Sequence, residues 1–426
     1  MDPIQPAPRR SLPDGRAQPQ QRTPPVPVRE AALRIAYLHP GSVPSVYANS
    51  VHAMRMCDAF AEAGHEVSLY TAPGTYTVDD AYAYYGVRHR FPVHTVPSPD
   101  YTPAGYRVRA ERVRALLTHD AAPDLIYGHD LHGLTAAADV APLVYESHRL
   151  RDDPNTLRIE HRLLQRDSLA RIVVITHALA RDYERAYGHL DTAPILVAPE
   201  GSDPPDASAR PTGPPELPGR PDAPRIGYIG HLYEGRGIGL VLDLADRLPD
   251  LDFHLIGGID EDRARWSSSR RPANAHFHGH RPPGAVSAYY PLFDVVLAPY
   301  QSKIYTADGH CETGRWASPM KLFEYMAHGR ALVASDLPVL REILQDRVNC
   351  LLCPPAEADA WADAVTELVA DEALRRTLGE EAGRQVLHQH TWRHRADRVL
   401  AGLGLPGTIH RSTVSRTSEF QPTPPR

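Results

Sequence analysis

The chain is expected to fold as an α/β protein of two domains, each built on a doubly wound parallel sheet, facing one another across a cleft. Three observations carry this expectation. Short apolar strands alternate with helix-length amphipathic stretches over most of the 426 residues. The alternation occurs in two series, separated by a Pro-rich break. Polar residues and glycines gather where the strands end, at His39, His129, His148, Glu200, Gly230 and Gly257. Open parallel sheets bind ligands at those ends.

Residues 1–32 mix prolines with polar residues and predict a disordered arm. The first domain, 33–203, opens with the strand "LRIAYLHP" (33–40). A helix follows through "NSVHAMRMCDAFAEAG", with Val51, Met54, Cys57 and Ala61 on one side and Gly64 as its stop. The next strand is "HEVSLYTA". Strand, helix and strand in so short a span make a βαβ unit, hence a Rossmann-like parallel sheet. Further strands are read at 124–130, 141–148, 171–177 and 194–201. A Pro-rich linker is expected over 204–224.

The second domain, 225–387, repeats the pattern: a strand at 225–232, a helix through "GIGLVLDLADRL", and strands at 251–258, 275–280, 294–300 and 330–336. A long helical stretch runs on to 387, a further helix is expected over 388–404, and 405–426 reads as a loose tail. Within this domain "SPMKLFEYMAHG" (318–329) has the marks of a capped helix. Ser318 suits the N-cap, Pro319 the first turn, and Gly329 the stop. Leu322, Phe323, Met326 and Ala327 form its apolar stripe. Lys321 and Glu324 sit side by side near its start, either as an exposed ion pair or as a functional pair.

Composition narrows the function. With 42% hydrophobic and 23% charged residues the chain is of the globular class, and its net charge of -6 gives no reason to expect nucleic acid or an anionic membrane as partner. No apolar run reaches the roughly 18 residues of a membrane span, and residues 1–32 lack the apolar core of a signal peptide. Four cysteines are too few for a disulfide framework, so a reduced, cytoplasmic setting is expected. Cys350 and Cys353 read as packing residues, and His276, His278 and His280 as one face of a strand. No metal is expected: "DLD" (250–252) falls at a turn, and no ligand spacing completes a site. A dinucleotide oxidoreductase is set aside because "LHPGSVPSVY" lacks the G-x-G-x-x-G fingerprint.

"GHLYEGRG" (230–237), "FHGHRPPGAVSAYYPLFDVVLAPY" (277–300) and "SPMKLFEYMAHGRALVASDLPVLREIL" (318–344) resemble the donor-binding half of retaining glycosyltransferases of family 4 with the GT-B fold. "ANSVHAMRMCDAFAEAGHEVSLYTA" (48–72) is similar to their acceptor-side half. The resemblance implies two Rossmann-like domains around a cleft, with the 388–404 helix crossing back to the first. It implies a nucleotide-diphosphate sugar, UDP- or GDP-linked, as co-substrate, with no prosthetic group. A helix N-terminus offers free N–H groups and partial positive charge to a diphosphate. Ser318, Pro319, Met320 and Lys321 would present them, and Glu324 would accept from the ribose hydroxyls.

Gly230, His231 and Arg236 occupy the family's second phosphate loop, where His231 departs from the usual arginine. Gly257, His280 and Arg281 fall on the same donor side. Trp316 stands where the family's E-x7-E motif has its first glutamate, and is expected beside the sugar. His129 matches a cleft histidine that contacts the donor sugar. His129, Arg236 and Lys321 are the expected catalytic residues; Asn49, Ser50, His52 and His148 the expected acceptor wall. A small soluble alcohol, amine or thiol is the expected acceptor, with a polysaccharide or lipid-linked glycan as alternative. A non-catalytic nucleotide-sugar binder and a nucleotide-sugar epimerase are the other readings. The oligomeric state is left open.

Overall fold

The computed structural model describes residues 32–119, 122–188, 193–205, 215–269, 272–306, 309 and 311–405. The expected arm and tail lie outside them save for one residue each, as does the middle of the expected linker. Two sheets organise the chain. The first contains β1 (Arg34–Val43), β2 (Glu66–Pro73), β3 (Val93–Thr95), β4 (Leu125–Gly128), β5 (Leu143–Ser147), β6 (Leu169–Val174) and β7 (Ile195–Val197). The second contains β8 (Arg225–Ile229), β9 (Asp252–Ile256), β10 (Ala275–Gly279), β11 (Val295–Ala298), β12 (Ala331–Ser335) and β13 (Leu351–Cys353).

The strand orders are β3-β2-β1-β4-β5-β6-β7 and β10-β9-β8-β11-β12-β13. Each pair runs parallel; Ile35, for example, lies between Val67 and Leu125. Strands covered on both faces need near-continuous apolar runs, and all four residues of β4 and of β11 are buried. In both sheets the order reverses beside the first strand, which opens a crevice at the C-terminal edge.

The helix Ala48–Glu62 buries Val51, Met54 and Cys57 as its periodicity predicts, but also Ser50, His52 and Asp58. Its second face is covered because helix Trp392–Leu400 packs on it, adding Trp392, Ala396, Val399 and Leu400 to the first domain's core. The chain therefore leaves the first sheet after β7 and returns to it after the second is complete.

Further contacts tie the two halves. The Glu342 carboxylate accepts from the His177 and Ala178 amides at 2.8 and 2.9 Å, satisfying free N–H groups at the start of helix His177–Tyr187. Tyr84 Oη lies 2.8 Å from His280 Nε2. Cys350 and Cys353 are buried free thiols. Asp252 is buried at the start of β9, where it accepts from the Arg220 amide, while Asp250 is exposed.

The helix expected at Ser318 begins later. It spans Met320–Ala327, with Pro319 in the extended N-cap position and no side-chain cap. The Ser318 hydroxyl instead accepts from the Glu200 amide at 3.1 Å, an interdomain bond that competes with capping. Gly329 follows the helix at φ 60, as a stop requires.

Candidate active site

A cleft of about 750 Å³ lies between the C-terminal edges of the sheets. Its second-domain wall is made by Gly230, His231 and Arg236 after β8, Gly257 after β9, His280 and Arg281 after β10, and Ser318 to Lys321 with Glu324. Its first-domain wall includes Asn49, His52, His129 and His148. Residues scattered over the sequence thus converge because each follows a strand of the same edge.

Two buried cations dominate the second-domain wall. Lys321 Nζ is buried 3.8 Å from the centre of the Tyr228 ring and has no hydrogen-bond acceptor among the described residues. Burial, with the Arg236 charge beside it, holds its pKa well below the usual lysine value. Arg236 lies over the rings of Tyr233 and Tyr300, at 4.6 and 5.3 Å, and donates through Nη2 to Tyr233 Oη. Its Nε has no acceptor among the described residues. Aromatic faces steady both cations without consuming their donors. Gly230 makes room: at φ 146, a Cβ there would stand 2.7 Å from Lys321 Nζ. Burial and the charges of Arg236 and Lys321 lower the His231 pKa to about 3, so its imidazole is neutral. The Glu324 carboxylate accepts from Tyr290 Oη at 2.7 Å; it makes no ion pair with Lys321 among the described residues.

The first-domain wall is a network of histidines and acids. His52 Nδ1 donates to Glu200 Oε2 at 2.7 Å, and its Nε2 faces Glu146 Oε1 at 3.0 Å. Burial works against charging His52, but the two carboxylates prevail and raise its pKa to about 9. Glu146 also receives His148 Nε2 at 2.8 Å and Arg395 Nη2 at 2.6 Å. Arg395 comes from helix Trp392–Leu400 and further donates to the Pro199 and Ala198 carbonyls. These are residues that spacing could not reveal: nothing in "TWRHR" marks Arg395 as a partner of Glu146. Tyr290, Tyr228 and Tyr300 carry no distinguishing pattern in the sequence either.

Three expectations need correction. Trp316 does not line the cleft: it is 8% exposed, packs into the first domain's core, and donates through Nε1 to Asp182 at 2.6 Å. Indole area is better hidden in an apolar contact than at a polar wall. Ser50 is 1% exposed and turned inward, bonded to His39 Nε2 at 3.1 Å and to the Ser42 carbonyl at 2.9 Å. His129 reaches the cleft, yet its Nε2 contacts His39 Nδ1 at 2.8 Å and its Nδ1 lies 3.4 Å from Tyr37 Oη. Its ring nitrogens are engaged within the protein, which leaves no ring nitrogen free for a sugar.

His52, Glu146 and His148 converge closely enough to hold a metal ion. Their chemistry fits poorly. Arg395 and a protonated His52 already neutralise Glu146, and a protonated imidazole nitrogen has no lone pair to give.

Two parallel-sheet α/β domains facing one another across a cleft are the architecture of one class of protein, the GT-B glycosyltransferases. Two family models match, "Glycosyltransferase Family 4" over residues 50–206 and "Glycosyl transferase-like" over 238–401. The chain is a glycosyltransferase whose first half is of the family 4 type. It is 26% identical to the phosphatidyl-myo-inositol mannosyltransferase of Mycolicibacterium smegmatis over 83% of this chain and 87% of that protein. Among solved structures it is similar to sucrose-phosphate synthase from Thermosynechococcus elongatus (TM-score 0.63, 19% identity, 85% and 96% coverage). It is also similar to Anabaena HepE in complex with UDP and glucose (TM-score 0.62, 15% identity, 86% and 98% coverage).

Proposed function

We propose that this glycosyltransferase moves a sugar, with retention at the anomeric carbon, from a UDP- or GDP-linked donor to a small polar acceptor. The observation that carries the reading is the pair of buried cations, Lys321 and Arg236, whose donors Nζ and Nε have no acceptor among the described residues. A diphosphate would supply that acceptor, and its negative charge grows as the glycosidic bond breaks. Glu324, in the same helix as Lys321, would accept from ribose hydroxyls; Tyr290, which donates to one of its oxygens, supports that role. HepE, a structural neighbour, binds UDP and glucose.

In this mechanism the bond from the anomeric carbon to the diphosphate oxygen breaks, and the acceptor oxygen bonds to that carbon on the same face. The acceptor's proton passes to the departing diphosphate oxygen. Protein groups position the partners and stabilise the leaving group; no pair of flanking carboxylates is required. The acceptor wall, with Asn49, His52 and His148, suits a polar alcohol, amine or thiol. A lipid-linked acceptor is the second reading, favoured by the mannosyltransferase relative. Among the described residues no helix is long and apolar enough to cross a membrane.

The test is a calorimetric titration with UDP, GDP and their sugars, followed by donor hydrolysis and product stereochemistry. Binding of one nucleotide series and a product retaining the donor's configuration are expected. An inverted product would sink the retaining assignment; interconversion of free nucleotide sugars would replace transfer by epimerisation.

A further inference from the structure

We infer that Glu200 accepts a hydroxyl of the donor's sugar, supplying from the first domain the carboxylate that position 316 lacks; this rests on the nucleotide-sugar reading above. Only two carboxylates, Glu200 and Glu324, stand in the cleft wall among the described residues. Glu324 is in the helix assigned to the nucleotide. Glu200 is next to the start of that helix, because its amide donates to Ser318 Oγ at 3.1 Å. Ser318 is two residues past Trp316, whose indole is turned away to Asp182. A carboxylate therefore does reach the region beside the diphosphate, but from the other domain.

The Glu200 carboxylate is also held ready. His52 Nδ1 binds Oε2 at 2.7 Å, and no hydrogen-bond partner of Oε1 is found among the described residues. His52 is in turn fixed against Glu146, which Arg395 anchors at 2.6 Å. One oxygen is locked and the other is left to a ligand. The flanking His52 cation keeps the carboxyl ionised. An ionised carboxylate accepts hydrogen bonds only, and a sugar presents hydroxyl donors. Its role is thus to select and orient the sugar, without taking up a proton.

The experiment compares full-length wild type with Glu200→Gln by calorimetry, without acceptor, against UDP, UDP-glucose, GDP and GDP-mannose. For whichever nucleotide series binds, Glu200→Gln should weaken the nucleotide sugar by about tenfold or more and alter the bare diphosphate by less than about twofold. An unchanged ratio of the two affinities, or an equal loss of both, would overturn the inference. Glu200→Asp keeps the charge beside His52 and serves if the amide variant does not fold. It should lose affinity for the sugar form alone, and equal losses again overturn the role. If wild type bound none of the four compounds, the nucleotide-sugar reading would fall and this inference with it. Nucleotide binding without the sugar-selective loss would overturn Glu200 alone.

Discussion

Burial and Arg236 disfavour the charge of Lys321, and this conflict makes its role testable. A bound diphosphate should restore the proton, so at pH 9 nucleotide binding should take up protons, seen as a binding enthalpy that varies with buffer. Lys321→Met should abolish the uptake and lower turnover at saturating donor by roughly 10²–10³-fold. A loss confined to apparent donor affinity would argue against stabilisation of the leaving group. Glu324→Ala should weaken nucleotide binding by on the order of 2–3 kcal/mol and leave the melting temperature nearly unchanged. Lys321, Glu324, Arg236 and Gly230 were reachable from the sequence through the family resemblance of two short stretches, and all four line the cleft. The place of Trp316 was not reachable in that way. Its neighbour Asp182 lies 134 positions away, and no local pattern reports a partner in another domain.

At the scale of elements, most strands were legible from apolar runs, whereas their order, the short β3 and the start of helix Met320–Ala327 were not. Ser318 has the right chemistry for a cap, but its hydroxyl serves the Glu200 amide instead, and such competition is invisible to propensity. The reverse holds for helix His177–Tyr187, which receives a carboxylate from the other domain. Glu342→Ala should cost about 1–2 kcal/mol by leaving the His177 and Ala178 amides unsatisfied. Thermal denaturation would report it, and an unchanged midpoint would make the contact dispensable. Arg395→Met is expected to be harsher. It strands Glu146, fully buried, beside Tyr127 and the histidines, for a loss of about 3–5 kcal/mol.

The whole molecule should be most stable near neutral pH, and its histidines supply the reason. Burial first, and neighbouring charges second, lower His39, His231 and His254 to about 3 and His278 to about 4, from an ordinary 6.5. Between those values the unfolded chain binds more protons, so their contribution falls as pH drops below 6.5. His52 behaves oppositely: raised to about 9, its stabilisation is complete below 6.5 and is lost as pH rises through 9. Melting temperatures measured from pH 4 to 10 should trace this dome, and His52→Gln should flatten the alkaline limb alone. The return of helix Trp392–Leu400 has a consequence for biogenesis. On the ribosome, the first sheet emerges long before Trp392, Ala396, Val399 and Leu400, which complete its hydrophobic packing. That half must wait, one apolar flank bare, until nearly 200 intervening residues are translated. The half made first is therefore the half finished last, and the nascent chain needs protection from aggregation throughout the delay.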